Sequence, residues 1–219
     1  MNQIEIDRDI ALYRYAAETL ARGEDRPAAA TAFLGAVAAA MRESVLDEAS
    51  YVPYLVAHLR CDRLAEVAGD ELGVLLCMTQ QAWALEHWQK LETHVEETEL
   101  PVPLTDAEER HRRAAIAAAA DHPALRGHHE RTAYVSLIGV LAAVRTRWEL
   151  GGLNRIATSD QDAVIADVLA GDPVAQAAAE ELGDGWRIAV EGYLAELWPE
   201  VVARAAEAET LAAIEAATA

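Results

Sequence analysis

The sequence is poor in several residue types, and each shortage closes a route. Lysine occurs once, at Lys90, and 18 basic residues face 37 acidic ones, for a net charge of −19 over 219 residues. A protein that grips a phosphate backbone over a wide face needs clustered Lys and Arg, so nucleic acid is not an expected partner. There are two cysteines, too few for a disulfide scaffold. Cys61 and Cys77 sit in no CxxC or Cys/His spacing, so both read as small core hydrophobes of a reducing compartment. Alternating runs of β-branched residues, the mark of strands, are missing. So are long apolar runs. The uncharged stretches 27–41, 72–85 and 132–144 all fall short of the ~20 residues that span a bilayer, so no membrane segment is expected. Residues 1–7 have neither a basic nor an apolar leader region, and the expected location is cytoplasmic. The phosphate loop GxxxxGK[ST], GxGxxG, HExxH and GxSxG are all absent.

What is present is helical. Hydrophobic residues make up 53% of the chain, and alanine alone fills about a fifth, a bias that fits a high-GC bacterial genome. A chain of this length buries roughly 70% of its unfolded surface, so it folds without metal or disulfide, and any metal would be functional. Helix-start and helix-stop residues divide it into segments. The first is 7–22. The second follows Asp25, with Pro27 in its first turn, and runs to 46. The third covers 50–67 and ends near Gly69, and the fourth covers 70–98. The stretch 72–85 is apolar almost all round, which places it in the centre of a bundle. Pro101 and Pro103 make 100–104 a linker. Thr105 and Glu108 then match a capping box that opens a helix to 120. Another runs from 127 to 149 and stops at Gly151-Gly152. Short helices start at Ser159 and at Asp172-Pro173, and the last, from 186, is bent or broken at Pro199. The expected fold is all-α, an irregular multi-helix bundle of about nine helices in one domain, 1–219. Residues 200–219 form an Ala/Glu-rich helix at its edge, whose apolar Val201, Leu211 and Ile214 could serve as an oligomer contact.

Four groups of residues carry chemical interest. Residues 110–131 hold a net charge of +3 while the rest of the chain holds −22, and four of the seven histidines lie there. Arg112, Arg113, Arg126 and Arg131 offer planar forks that match carboxylate or phosphate, beside a helix start at His128 and His129. The competing reading pairs these arginines with the surplus carboxylates of neighbouring helices. On the fourth helix, Gln80, Trp83 and His87 share a stripe with Glu86 at its edge, and buried polar groups must be satisfied by a network or a metal. Carboxylate and imidazole projecting into a helical bundle build non-haem metal sites. Glu86, His87, Glu108 and His111 are the candidate ligands, although the Glu-x-x-His pattern occurs once only. Tyr54, His58, Cys61 and Asp62 share a helix face, better read as a polar edge than as a thiolate site. Five tryptophans against one phenylalanine either wall a cavity or fill an alanine-rich core.

Two functions follow. One is a small-molecule site inside the bundle, with an anionic organic ligand held by the basic segment. There His87, His128 or His129 would be the acid–base group, and a metal-dependent oxidase is the version that asks for the fewest further residues. The other is a non-enzymatic acidic interaction protein, a homo-oligomer whose charge keeps it dispersed or steers it to a basic partner. They differ in a geometric consequence. A site requires Glu86, His87 and the basic segment to converge, whereas an interaction protein exposes its largest apolar patch and scatters its histidines.

Overall fold

A computed structural model describes residues 26–46, 50–90, 104–150 and 158–218. The expected helix 7–22, the 100–103 part of the linker and the Gly151-Gly152 stop lie outside them. The described residues form eight helices and no strand: α1 (Pro27–Leu46), α2 (Tyr51–Cys61), α3 (Arg63–Glu86), α4 (Asp106–Asp121), α5 (Arg131–Leu150), α6 (Thr158–Ala170), α7 (Pro173–Leu182) and α8 (Trp186–Thr218). Counting α3 as two segments, split where Gly73 takes φ +73°, makes nine. The all-α multi-helix bundle is therefore the fold.

Two helices are central. Residues 28–41 of α1 are all buried, most of them alanine. Thirteen residues of α5, from Thr132 to Thr146, are buried as well. Small side chains let helices approach closely. At the α4–α5 crossing, a Cβ on Gly139 would stand 2.8 Å from Ile116 Cγ1. α1 packs on α2, α3 and α7, while α5 packs on α4, α7 and α8. Thus α3 and α7, which each touch both central helices, join the two halves.

Local chemistry sets the element ends. Thr105 Oγ1 accepts from Glu108 N and Glu108 Oε2 accepts from Thr105 N, which closes the expected capping box. Asp172 caps α7 through Ala175 N. The break expected near Gly69 falls instead at Asp62, whose carboxylate accepts from Leu64 N and Ala65 N. The N-cap aspartate sets this boundary, and Gly69 continues inside α3, where an added Cβ would stand 3.6 Å from the Phe33 ring, an ordinary contact. Helix α5 starts at Arg131 rather than 127. Pro199 leaves α8 continuous.

Candidate functional site

The connector between α4 and α5 has no regular structure, yet it is held in place. Its Leu125 is fully buried. The turn closes through Leu125 N donating to His122 O and His128 N donating to Leu125 O, each at 3.1 Å. Arg131 Nη2 reaches back to Ala120 O at 2.7 Å and satisfies a carbonyl at the end of α4.

Four rings line one side of this connector and a fifth lies on α8. His129 stacks on His128 at 5.2 Å, His128 meets Tyr134 edge-on at 4.7 Å, and Tyr134 meets Tyr193 of α8 at 5.9 Å. His122 closes the row against Tyr193 at 5.7 Å. Burial first, then the Glu130 charge, pushes the Tyr134 phenol up. Glu130 lies 3.3 Å from His129 Nε2. Of the His, Cys, Asp and Glu side chains among the described residues, His128, His129 and Glu130 are the set close enough to share a metal ion.

Two carboxylates that the sequence reading overlooked cap helix starts from other helices. Glu71 of α3 is 4% exposed, and its Oε2 accepts from Thr132 N at 2.7 Å and Thr132 Oγ1 at 2.6 Å. It thereby caps the start of α5 from another helix. Glu181 of α7 does the same for α1, accepting from Ala28 N at 3.1 Å. Free N–H groups and the positive end of the helix dipole favour a carboxylate at both places. Burial nonetheless pushes both carboxyls up, Glu181 to about 7, and Glu71 and Glu130 repel the Glu181 charge further. Arg26 offsets part of this, 3.9 Å from Glu71 Oε1 and bonded to the Glu71 carbonyl at 2.6 Å.

The residues nominated from sequence do not gather in one place. Arg112 bonds Asp172 at 2.5 Å and lies 3.6 Å from Glu109, and these carboxylates hold its guanidinium charged against the cost of burial. Arg113 pairs with Glu109 at 2.6 Å. Arg131 stands 4.0 Å from Asp70, and Arg126 is exposed on the connector. The basic segment is thus met largely by carboxylates of its own and other helices. Glu108 is taken up by Thr105 and by Arg147, at 2.8 Å. Burial raises its pKa, but the bonds from Arg147 and Thr105 outweigh burial and hold it below the usual range. His111 bonds Ala107 O and stacks on Trp198. His87 bonds Trp83 O and stacks on the Trp83 ring at 4.3 Å, and Glu86 is exposed beside it. Hence Glu86, His87, Glu108 and His111 do not form a ligand set among the described residues. Gln80 is 2% exposed, and neither end of its amide finds a hydrogen-bond partner.

The stretch 72–85 departs from its expected central place. Beyond Gly73, α3 turns its apolar side outward: Val74 is 76% exposed and Leu75 81%, and Leu76, Met78 and Leu85 are exposed too. At 100° per residue Val74, Leu85, Met78, Ala82 and Leu75 fall within one arc of about 100°. Gln80 and Ala84, on the opposite side, are the residues buried. Val52 and Val56 of α2 are exposed as well, and α2 reaches this segment through Tyr51 Oη and Gln81 Oε1, at 3.4 Å. No described helix is long and apolar enough to cross a membrane.

Among the described residues, fold and surface together describe an acidic helical bundle with an exposed apolar stripe on α3 and a histidine-rich connector. Compared with known proteins, the chain matches no family, no curated protein and no solved structure.

Proposed function

We propose that the chain is an acidic interaction protein that associates with a second copy of itself through the stripe of α3. The observation that carries this reading is the exposed arc of Val74, Leu75, Met78, Ala82 and Leu85. An amphipathic helix normally turns such an arc to the core, and a contiguous apolar patch left in water marks an interface. Charge identifies the occupant. Two molecules that each carry −19 repel over most of their surfaces, whereas residues 72–85 carry no charge at all. Like-charged copies approach at least cost where both are neutral. Two α3 segments packed on each other would bury both arcs, with Val52 and Val56 at the rim.

Light scattering coupled to size exclusion tests this reading. The wild-type chain is expected to run as a dimer at micromolar concentration. Leu75→Glu with Met78→Glu places four like charges in the contact and is expected to give a monomer with unchanged far-UV dichroism. A wild-type monomer at 100 µM, on the order of ten times the concentration at which a ~10 µM dimer half-forms, refutes the proposal.

A second reading, the small-molecule site, rests on Gln80. A buried amide without partners costs about 1–3 kcal/mol, which a ligand or an ordered water would offset. Its test is a thermal-shift screen of small organic anions. A hit that Gln80→Leu abolishes supports it, and a hit that survives Gln80→Leu refutes it.

A further inference from the structure

We infer that His128, His129 and Glu130 bind a divalent transition-metal ion of the zinc, cobalt or nickel kind at the start of α5. Their ligand atoms all lie within 4.8 Å of one another. Glu130 Oε1 is 3.3 Å from His129 Nε2, and Glu130 Oε2 is 3.9 Å from His128 Nδ1. Atoms bound ~2.1 Å from a tetrahedral zinc stand about 3.4 Å apart. The two separations bracket that spacing, and the exposed ring of His129 is free to turn and close the remainder.

The backbone adds to this placement. His128 Nδ1 stands 3.3 Å from the backbone N of Glu130 and 3.9 Å from Glu130 Oε2, so the chain folds the ring back over the carboxylate of the same site. A bound ion would take the one lone pair of this nitrogen in place of the long bond from the Glu130 N–H.

Carboxylates around the start of α5 bring negative charge to the place. A helix N-terminus by itself disfavours one. Here, though, Glu71 is seated on Thr132, two residues beyond Glu130, and Glu71 Oε1 and Glu181 Oε1 are both buried without a hydrogen-bond partner. Glu71, Glu130 and Glu181 interact with one another or with a common Arg26. Glu71 and Glu130, with Glu181 when it is ionised, face Arg26 and Arg131, and these carboxylates offset the dipole. Two imidazoles and a carboxylate select the borderline ions over Mg2+ and Ca2+, which take oxygen ligands. Three protein ligands leave at least one position for water or for an exogenous group.

The test is titration of the tag-free full chain with Co2+, followed by visible absorption and calorimetry. One equivalent is expected to bind and to give ligand-field bands, which Zn2+ then displaces and Mg2+ does not. His129→Ala removes an exposed side chain and is expected to weaken binding at least tenfold, with the far-UV spectrum unchanged. Glu130→Gln should do the same, while His87→Ala, far along α3, should leave affinity as it was. Failure of the wild-type chain to bind Co2+ at 1 mM overturns the assignment. So does tight binding that persists unchanged in His129→Ala and Glu130→Gln.

Discussion

Glu181 couples the bundle to pH. Its carboxyl, pushed up to about 7 by burial and then by Glu71 and Glu130, is raised above its value in the unfolded chain. The stability tied to its protonated form is fully present below about pH 4.5 and is lost as pH rises through 7. Glu181→Gln keeps an oxygen for Ala28 N and cannot ionise. Urea unfolding at pH 8.5 should find this variant more stable than wild type by about 2 kcal/mol, with the two converging near pH 5. Equal stability at both pH values would show that Glu181 ionises as it does in water. Glu108 works with the opposite sign. Arg147 and Thr105 hold it charged, so its contribution stands above pH 4.5 and fades as pH falls below. Arg147→Met leaves that carboxylate, 5% exposed, without its cation. The expected loss is about 3 kcal/mol at pH 7, read from the urea midpoint. Both buried acids were legible in principle. Glu71 follows Leu64, Val67 and Ala68 on the buried stripe of α3, and Glu181 follows Val174, Ala177 and Ala178 on that of α7. An acid in register with a core stripe marks a charge with a partner elsewhere, but the register alone does not tell which helix end it will cap.

At the scale of the elements, the glycines separate what sequence shows from what packing decides. Gly69, Gly73 and Gly139 look alike in the sequence. Gly69 lies under Phe33, Gly73 adopts a left-handed φ that redirects α3, and Gly139 admits Ile116 at the closest crossing of α4 and α5. Gly139→Ala illustrates the contest. Alanine favours a helix by about 1 kcal/mol, but its Cβ would press on Ile116 Cγ1, and overpacking costs about 1–3 kcal/mol. With the contact at 2.8 Å, packing should win. A net loss of about 1 kcal/mol is expected on chemical denaturation, and a gain in stability would show that the crossing yields. The capping boxes and N-caps at Thr105 and Asp172 were readable because they involve residues two or three apart. The Asp62 cap carried the same local signal, hidden by a glycine seven residues on.

For the whole molecule, charge and apolar surface act together. The chain carries an excess of 19 negative charges, and the uncharged arc of α3 is where we propose that two copies meet. Such an association should depend on salt. Screening weakens repulsion over a Debye length of ~10 Å at 0.1 M, so raising NaCl from 20 to 300 mM is expected to tighten the dimer several-fold in sedimentation. Weakening on added salt would mean that ion pairs hold the contact instead. The C-terminal end of α8 is exposed from Ala206 to Thr218.

The sequence by itself determined the class of fold, most helix starts and the excess of negative charge, because composition, periodicity and capping are local properties. Only the tertiary structure decided three things. It paired the basic segment 110–131 with carboxylates up to 99 positions away. It turned the apolar stretch 72–85 outward through one left-handed glycine. It set Glu71 on the start of α5 and Glu181 on the start of α1. Each of these depends on which helix faces which. That is set by the summed packing of alanine-rich surfaces that are nearly alike in sequence, and so it is invisible to a pattern read one segment at a time.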